Sequence, residues 1–238
     1  MAEHDTRRDE IAANLTTVRA RIAAACAEAG RPDDVALVVV TKFFPTSDVR
    51  ILADLGVTDV GENRHQEAEQ KAAELADLRL TWHFIGTLQS NKAAAVAQYA
   101  DVVQSVDRPK LLAGLARGAH QRGTAGSVLD CLVQVDLDRD PKPGRGGCAP
   151  ADVSDLATAI EAAEGLRLRG VMAVAPLGAD PAEAFDALAR IADDVRRAHP
   201  DATWLSAGMS ADLEAAIGQG ATHLRVGSAV LGPRPSFK

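Results

Sequence analysis

Aromatic residues make up only 3% of this 238-residue chain, so its helices and sheets must pack mainly through alanine, valine, leucine and isoleucine. Cysteine is scarce as well. Cys26, Cys131 and Cys148 are an odd number with no CxxC spacing, which supports neither a disulfide framework nor a zinc site and fits reduced thiols in a cytoplasmic protein. No apolar run is long enough to span a bilayer, so no membrane role is expected. The opening residues, MAEHDTRRDE, lack the apolar core of a signal peptide and carry acids that a transit peptide avoids. Positive charge is in deficit: 26 Lys+Arg against 33 Asp+Glu give a net charge of −7, which argues against a nucleic-acid binder working by broad electrostatics. What is present is 47% hydrophobic and 25% charged, the composition of a globular protein with ample chain for one large core.

No composition shift or flexible linker divides the chain, so a single domain over residues 1–238 is expected. One loop stands out, DRDPKPGRGGCAP at 138–150, too dense in proline and glycine for a helix or strand. The rest alternates. A helical pattern over 6–29 ends at Gly30, the expected C-cap. Strand patterns fall at 35–42, 58–63, 80–86, 101–107, 128–138, 166–174, 202–208 and 223–231. Helices are expected at 46–55, 64–78, over LQSNKAAAVAQ (88–98), and at 108–121, 151–163, 181–198 and 210–218. Asp180 and Pro181 form a strong start signal for the 181–198 helix. On the 64–78 helix, Ala68, Ala72, Leu75 and Leu78 share an apolar face, and Glu67, Glu69, Lys71 and Glu74 read as solvated surface.

Eight strands with helices between them require parallel pairing and match a (β/α)8 TIM barrel with an extra N-terminal helix. The rival is an open doubly wound sheet, weakened by the absence of a GxGxxG fingerprint after the first strand. Barrels of this kind keep their chemistry at the C-terminal ends of the strands. Polar residues gather there: Lys42 ends the first strand, Asn63 the second, His83 lies late in the third, Ser206 and Gly208 end the seventh, and Arg225, Gly227 and Ser228 lie toward the end of the eighth. A lysine at the edge of an apolar strand has a lowered pKa and can form an imine with a carbonyl compound, although taken alone a snorkelling lysine is the commoner reading. SAGMS (206–210), with Met209 and Ser210, offers small residues, hydroxyls and a helix start suited to an anion, or else an ordinary turn capped by Ser210. Its pairing with Gly227-Ser228, from the last two strands, favours phosphate. Arg225 reads as a donor to a ring nitrogen or anion, or as a structural ion pair; His83 reads more readily as a hydrogen-bonded core histidine.

The segments VVVTK (38–42), VGENRHQEAEQK (60–71), WHFIGTLQSNK (82–92), RGVMAV (169–174) and LSAGMSADLEAAIGQGATHLRVGSAVLG (205–232) resemble the pyridoxal phosphate homeostasis protein family, over nearly the whole chain. The resemblance implies a barrel like the N-terminal domain of alanine racemase, without its second domain. It implies pyridoxal 5'-phosphate (PLP) held by Lys42 as a Schiff base. Ser206, Gly208, Met209, Ser210, Gly227 and Ser228 would surround the phosphate, Arg225 would face the pyridine nitrogen, and Asn63 and His83 would line the ring pocket. Lys142 falls where relatives often carry a lysine near the site. Thr87 departs from the His or Pro common there. The tail GPRPSFK lacks the tyrosine that usually follows the family's final arginine, which leaves no implied role for it.

A carrier rather than an enzyme is expected. Arginine beside the ring nitrogen keeps it unprotonated and the ring a weak electron sink. Racemization also needs a second base, and the only tyrosine, Tyr99, falls at the wrong end of the barrel. The expected role is buffering PLP or delivering it to PLP-dependent apo-enzymes, in a monomer, because a closed barrel leaves no strand edge. The alternatives are a weak racemase-like enzyme, and a phosphate-binding barrel without the covalent link.

Overall fold

The computed structural model describes residues 2–122, 128–138 and 146–233. Its first strand, β1 (Ala36–Val40), is ALVVV, and its β-branched residues Val38, Val39 and Val40 are buried because one face meets the barrel interior and the other the surrounding helices. The chain then alternates: α2 (Thr46–Asp54), β2 (Asp59–Glu62), α3 (His65–Glu74), β3 (Thr81–Phe84), α4 (Ala93–Tyr99), β4 (Val102–Val106), α5 (Leu112–Gln121), β5 (Leu129–Gln134), α6 (Val153–Glu161), β6 (Leu166–Met172), α7 (Pro181–Ala198), β7 (Trp204–Ser206), α8 (Leu213–Gly218), β8 (His223–Val226) and α9 (Ser228–Leu231), all preceded by α1 (Ala2–Glu28). Every strand pairs in parallel with its sequence neighbour, and β8 returns to β1, with Val39 opposite both Val60 and Val226. The sheet is a closed eight-stranded barrel, so the (β/α)8 expectation holds and the open sheet is excluded.

The extra helix α1 closes the outer seam. Ile11, Leu15, Val18 and Ile22 recur at helical spacing and are buried. Arg7 reaches across to Asp48 (2.7 Å) and to the Leu231 carbonyl (2.9 Å), and Asn14 donates to the Val230 carbonyl. The helix thereby fixes α9, whose first residue faces the functional cavity described below.

Most boundaries fall within two residues of expectation. Asp180 caps α7 by accepting from the Ala182 N–H at 2.9 Å, and Gly30 takes the positive φ of a helix stop. Several expectations need correction: α1 starts at Ala2 rather than 6, α3 ends at Glu74 rather than 78, α4 and α5 start at Ala93 and Leu112 after short 3-10 turns, and β5 ends at Gln134 rather than 138. The last strand ends at Val226 rather than 231, and Ser228–Leu231 is a helical turn whose Val230 and Leu231 are buried. The helix expected from 210 starts only at Leu213, because Asp212 Oδ1 accepts the Met209 N–H and holds a turn in front of it. Of the 138–150 loop, the returning limb is described: Cys148 and Val135 form a bridge beyond the end of β5. Lys142 and the last five residues lie outside the described residues. Among the described residues no helix is long and apolar enough to cross a membrane.

Candidate functional site

A cavity of about 400 Å³ opens among the C-terminal ends of the strands, within the range of roughly 300–1,000 Å³ typical of small-molecule sites. Lys42, Asn63, Met209, Ser210, Arg225, Gly227 and Ser228 all line it, together with Val40, Ile85, Gln134 and Met172. Lys42 and Arg225 are the basic side chains on its described wall.

Lys42 follows β1 in a tight turn. The Phe44 N–H donates to the Thr41 carbonyl at 3.0 Å, and Phe43 has φ 71°. At the opposite end, the hydroxyls of Ser210 and Ser228 lie 3.3 Å apart, and Ser210 Oγ accepts the Ala229 N–H. This corner is a turn with hydroxyl and backbone donors, not the start of a long helix. Gly208 shapes it. At φ 88° a side chain is strained, and a Cβ there would come within 2.6 Å of the Ala216 Cβ.

Three residues expected at the cofactor, His83, Ser206 and Gly208, are not on the wall of this cavity. Gly208 is buried, and its carbonyl accepts the Arg225 N–H at 2.9 Å. Ser206 and His83 are buried in the barrel interior, because the strand pleat turns them inward one layer below the rim. They belong to a chain of hydrogen bonds that runs one way. Arg225 Nη1 donates to Ser206 Oγ (2.7 Å), Ser206 Oγ to Gln104 Oε1 (2.7 Å), and Gln104 Nε2 to His83 Nδ1 (2.9 Å). His83 Nε2 then donates to Asp59 Oδ1 (2.9 Å), with the tautomer assigned by this network. Arg225 Nη2 donates to the Ala173 carbonyl at 2.8 Å. Burial pushes the Arg225 guanidinium down to about 10, so it stays cationic at neutral pH. Burial also raises the Asp59 carboxyl, but hydrogen bonds with His83 and Thr58 outweigh it and hold the group below its usual range.

Sequence reasoning missed Gln104 and Asp59. The available signal was a glutamine inside the otherwise apolar strand DVVQSVD. It also misread Lys71. Far from solvated surface, Lys71 is 5% exposed and contacts Glu62 and Glu67 at 2.7 Å each. Their i,i+4 spacing was visible, but its burial behind the Lys42 turn was not. Glu69 and Glu74 are exposed as expected. Tyr99 is not on the cavity wall. It stacks on His65, with ring centroids 5.9 Å apart, and burial raises its phenol.

The family model "Alanine racemase, N-terminal domain" matches residues 8–235. The chain is 42% identical to the pyridoxal phosphate homeostasis protein of Mycobacterium leprae, over 95% of this chain and 94% of that one. It is 44% identical to the protein of the same name from Corynebacterium glutamicum, over 92% and 99%. Among solved structures it resembles PipY of Synechococcus elongatus with PLP bound, at TM-score 0.80 and 35% identity, covering 94% of this chain and all of that one.

Proposed function

The chain belongs to the alanine racemase N-terminal domain family and, within it, to the pyridoxal phosphate homeostasis proteins, and from that premise we propose that it holds PLP reversibly for cytoplasmic vitamin B6 homeostasis. We assign this role to a single cofactor-binding barrel domain over residues 1–238. The carrying observation is the cavity wall, which brings together the Lys42 amine, the Arg225 guanidinium and the neighbouring hydroxyls of Ser210 and Ser228. That donor set fits an anionic phosphate ester bearing an aldehyde.

When bound, PLP supplies an aldehyde that condenses reversibly with a primary amine. Lys42 is the amine on the wall and would hold it as a Schiff base. Ser210, Ser228 and the backbone of Gly227 would hold the phosphate, with Met209 lining that corner and Gly208 shaping its turn. Asn63 would line the ring. Arg225 would stand at the ring nitrogen and, as a fixed cation, disfavour a proton there. Ser206, Gln104 and His83 act through Arg225, by filling its donors and orienting it.

The same wall supports holding rather than turnover. Lys42 is its one amine, and Tyr99 lies off that wall with its ring stacked on His65. The closed sheet leaves no strand edge, which supports a monomer. The buried, unpaired Cys26, Cys131 and Cys148 support a reducing compartment. PLP-dependent apo-enzymes are the proposed recipients.

The test is cofactor transfer. Loaded protein is mixed with an apo-enzyme, and recovery of that enzyme's activity is compared with recovery from an equal amount of free PLP. The expected result is full recovery at a rate set by release from the protein. Failure to transfer, or enzyme-like exchange of an amino-acid α-proton for solvent deuterium, would overturn the carrier reading.

A further inference from the structure

We propose that Glu67, held by Lys71, is a positioning residue for the Lys42 amine; the proposal rests on the cofactor-holding reading above. The turn Thr41–Phe44 is closed by the Phe44 N–H on the Thr41 carbonyl, and its third residue has positive φ, as a type II turn requires. Glycine or asparagine normally takes that place. Here it is Phe43, and a bulky residue persists at positive φ only where its surroundings over-determine it.

Those surroundings are specific. Glu67 Oε1 accepts the Phe43 N–H at 2.6 Å. Lys71 Nζ donates to Glu67 Oε1 (2.7 Å), to Glu62 Oε1 (2.7 Å) and to the Thr41 carbonyl (2.8 Å). Thr41 Oγ1 also donates to Glu62 Oε1 at 2.7 Å. The backbone on both sides of Lys42 is therefore tied to one ion cluster away from the cavity, in which Glu62 and Lys71 are buried and Glu67 is half-buried. All three ammonium donors of Lys71 are used, so it is held as a tether and not offered as a second amine. The cluster replaces what glycine would do at position 43: it makes the left-handed turn the preferred state and so fixes where the Lys42 side chain departs.

The experiment uses the full chain with Glu67→Ala, Glu67→Gln, Phe43→Gly and the double variant Glu67→Ala/Phe43→Gly. The readouts are the PLP Kd, borohydride fixation at Lys42, and hydrogen exchange of the Phe43 amide in the cofactor-free protein. Glu67→Ala should raise the Kd about tenfold, the lower end for losing a hydrogen bond to a charged group, and should expose the Phe43 amide to exchange. Glu67→Gln keeps an acceptor and should stay within about threefold of wild type. Phe43→Gly in the Glu67→Ala background should restore the Kd to nearly that of Phe43→Gly alone, because glycine adopts positive φ unaided. A lesion of general stability has no reason to be rescued by glycine at that one position. An unchanged Kd and unchanged exchange in Glu67→Ala, equal losses in the alanine and glutamine variants, or no rescue by glycine would each overturn the proposal. If wild type itself gives no adduct at Lys42, the cofactor-holding reading fails instead, and the exchange of the Phe43 amide still decides whether Glu67 holds the turn.

Discussion

Acidification should unfold this barrel through His223, and the effect can be isolated by substituting that residue. His223 starts β8, is 8% exposed, and lies with its ring centroid 4.1 Å from that of Trp204. Burial above all, with attraction from Asp59 set against repulsion from the Arg169 and Arg225 cations, pushes its imidazole down from 6.5 to about 4. A lowered histidine pKa means that the fold prefers the neutral ring. Stability from this source is fully present above pH 6.5 and is lost as the pH falls toward 4, because the unfolded chain takes up a proton that the folded one refuses. At roughly 1.4 kcal/mol per pH unit the whole effect is about 3 kcal/mol, and about 2.5 kcal/mol of it is gone by about pH 4.5. Urea titrations at about pH 7.5 and about pH 4.5, on wild type and His223→Leu, measure it. The substitution also removes a hydrogen bond with Thr222 and part of the Trp204 contact, but those losses apply equally at both pH values. Wild type should lose about 2.5 kcal/mol more than the variant between the two conditions. Parallel losses in the two proteins would refute the account of a buried neutral histidine.

Other substitutions probe the layer beneath the cavity and its rim. Ser206→Ala leaves Gln104 Oε1 without its donor and Arg225 Nη1 without its acceptor. It should cost about 1–3 kcal/mol of stability by urea titration, and it should weaken PLP binding measured by visible absorbance. Gly208→Ala places a side chain at positive φ against Ala216. It should cost at least about 2 kcal/mol and impair phosphate binding, read as weaker competition by inorganic phosphate. Leu15→Ala, in the buried stripe of α1, should destabilise the fold by about 2–5 kcal/mol, seen as a lower thermal midpoint.

The barrel was legible because each crossover returns the chain to the same end of the sheet, and eight apolar, β-branched runs alternate with helical spacing. The 181–198 helix was placed at both ends because Asp180 and Pro181 give an unambiguous start. GSAVL at 227–231 was misread because a short apolar run suits either a strand or a buried helical turn. Here Val226 has already closed the sheet, and the following residues pack under α1 instead. At the site, Lys42 and Arg225 were visible as cations interrupting apolar strands. Depth was not visible. Whether Ser206 and His83 face the ligand or lie one layer below depends on strand register and pleat, which polarity alone does not encode. Lys71 was hidden for a related reason. A Glu–Lys pair at i,i+4 reads as surface until a turn from another strand, here Thr41–Phe44, covers it.

The central claim is that the amine at position 42 holds the cofactor. Borohydride reduction of protein loaded with PLP, followed by peptide mass mapping, tests it most directly. The account predicts one adduct, on the peptide containing Lys42, and none in Lys42→Ala, which should keep its fold. An adduct mapping elsewhere, with Lys142 the first position to inspect, or PLP bound with no adduct at all, would contradict it.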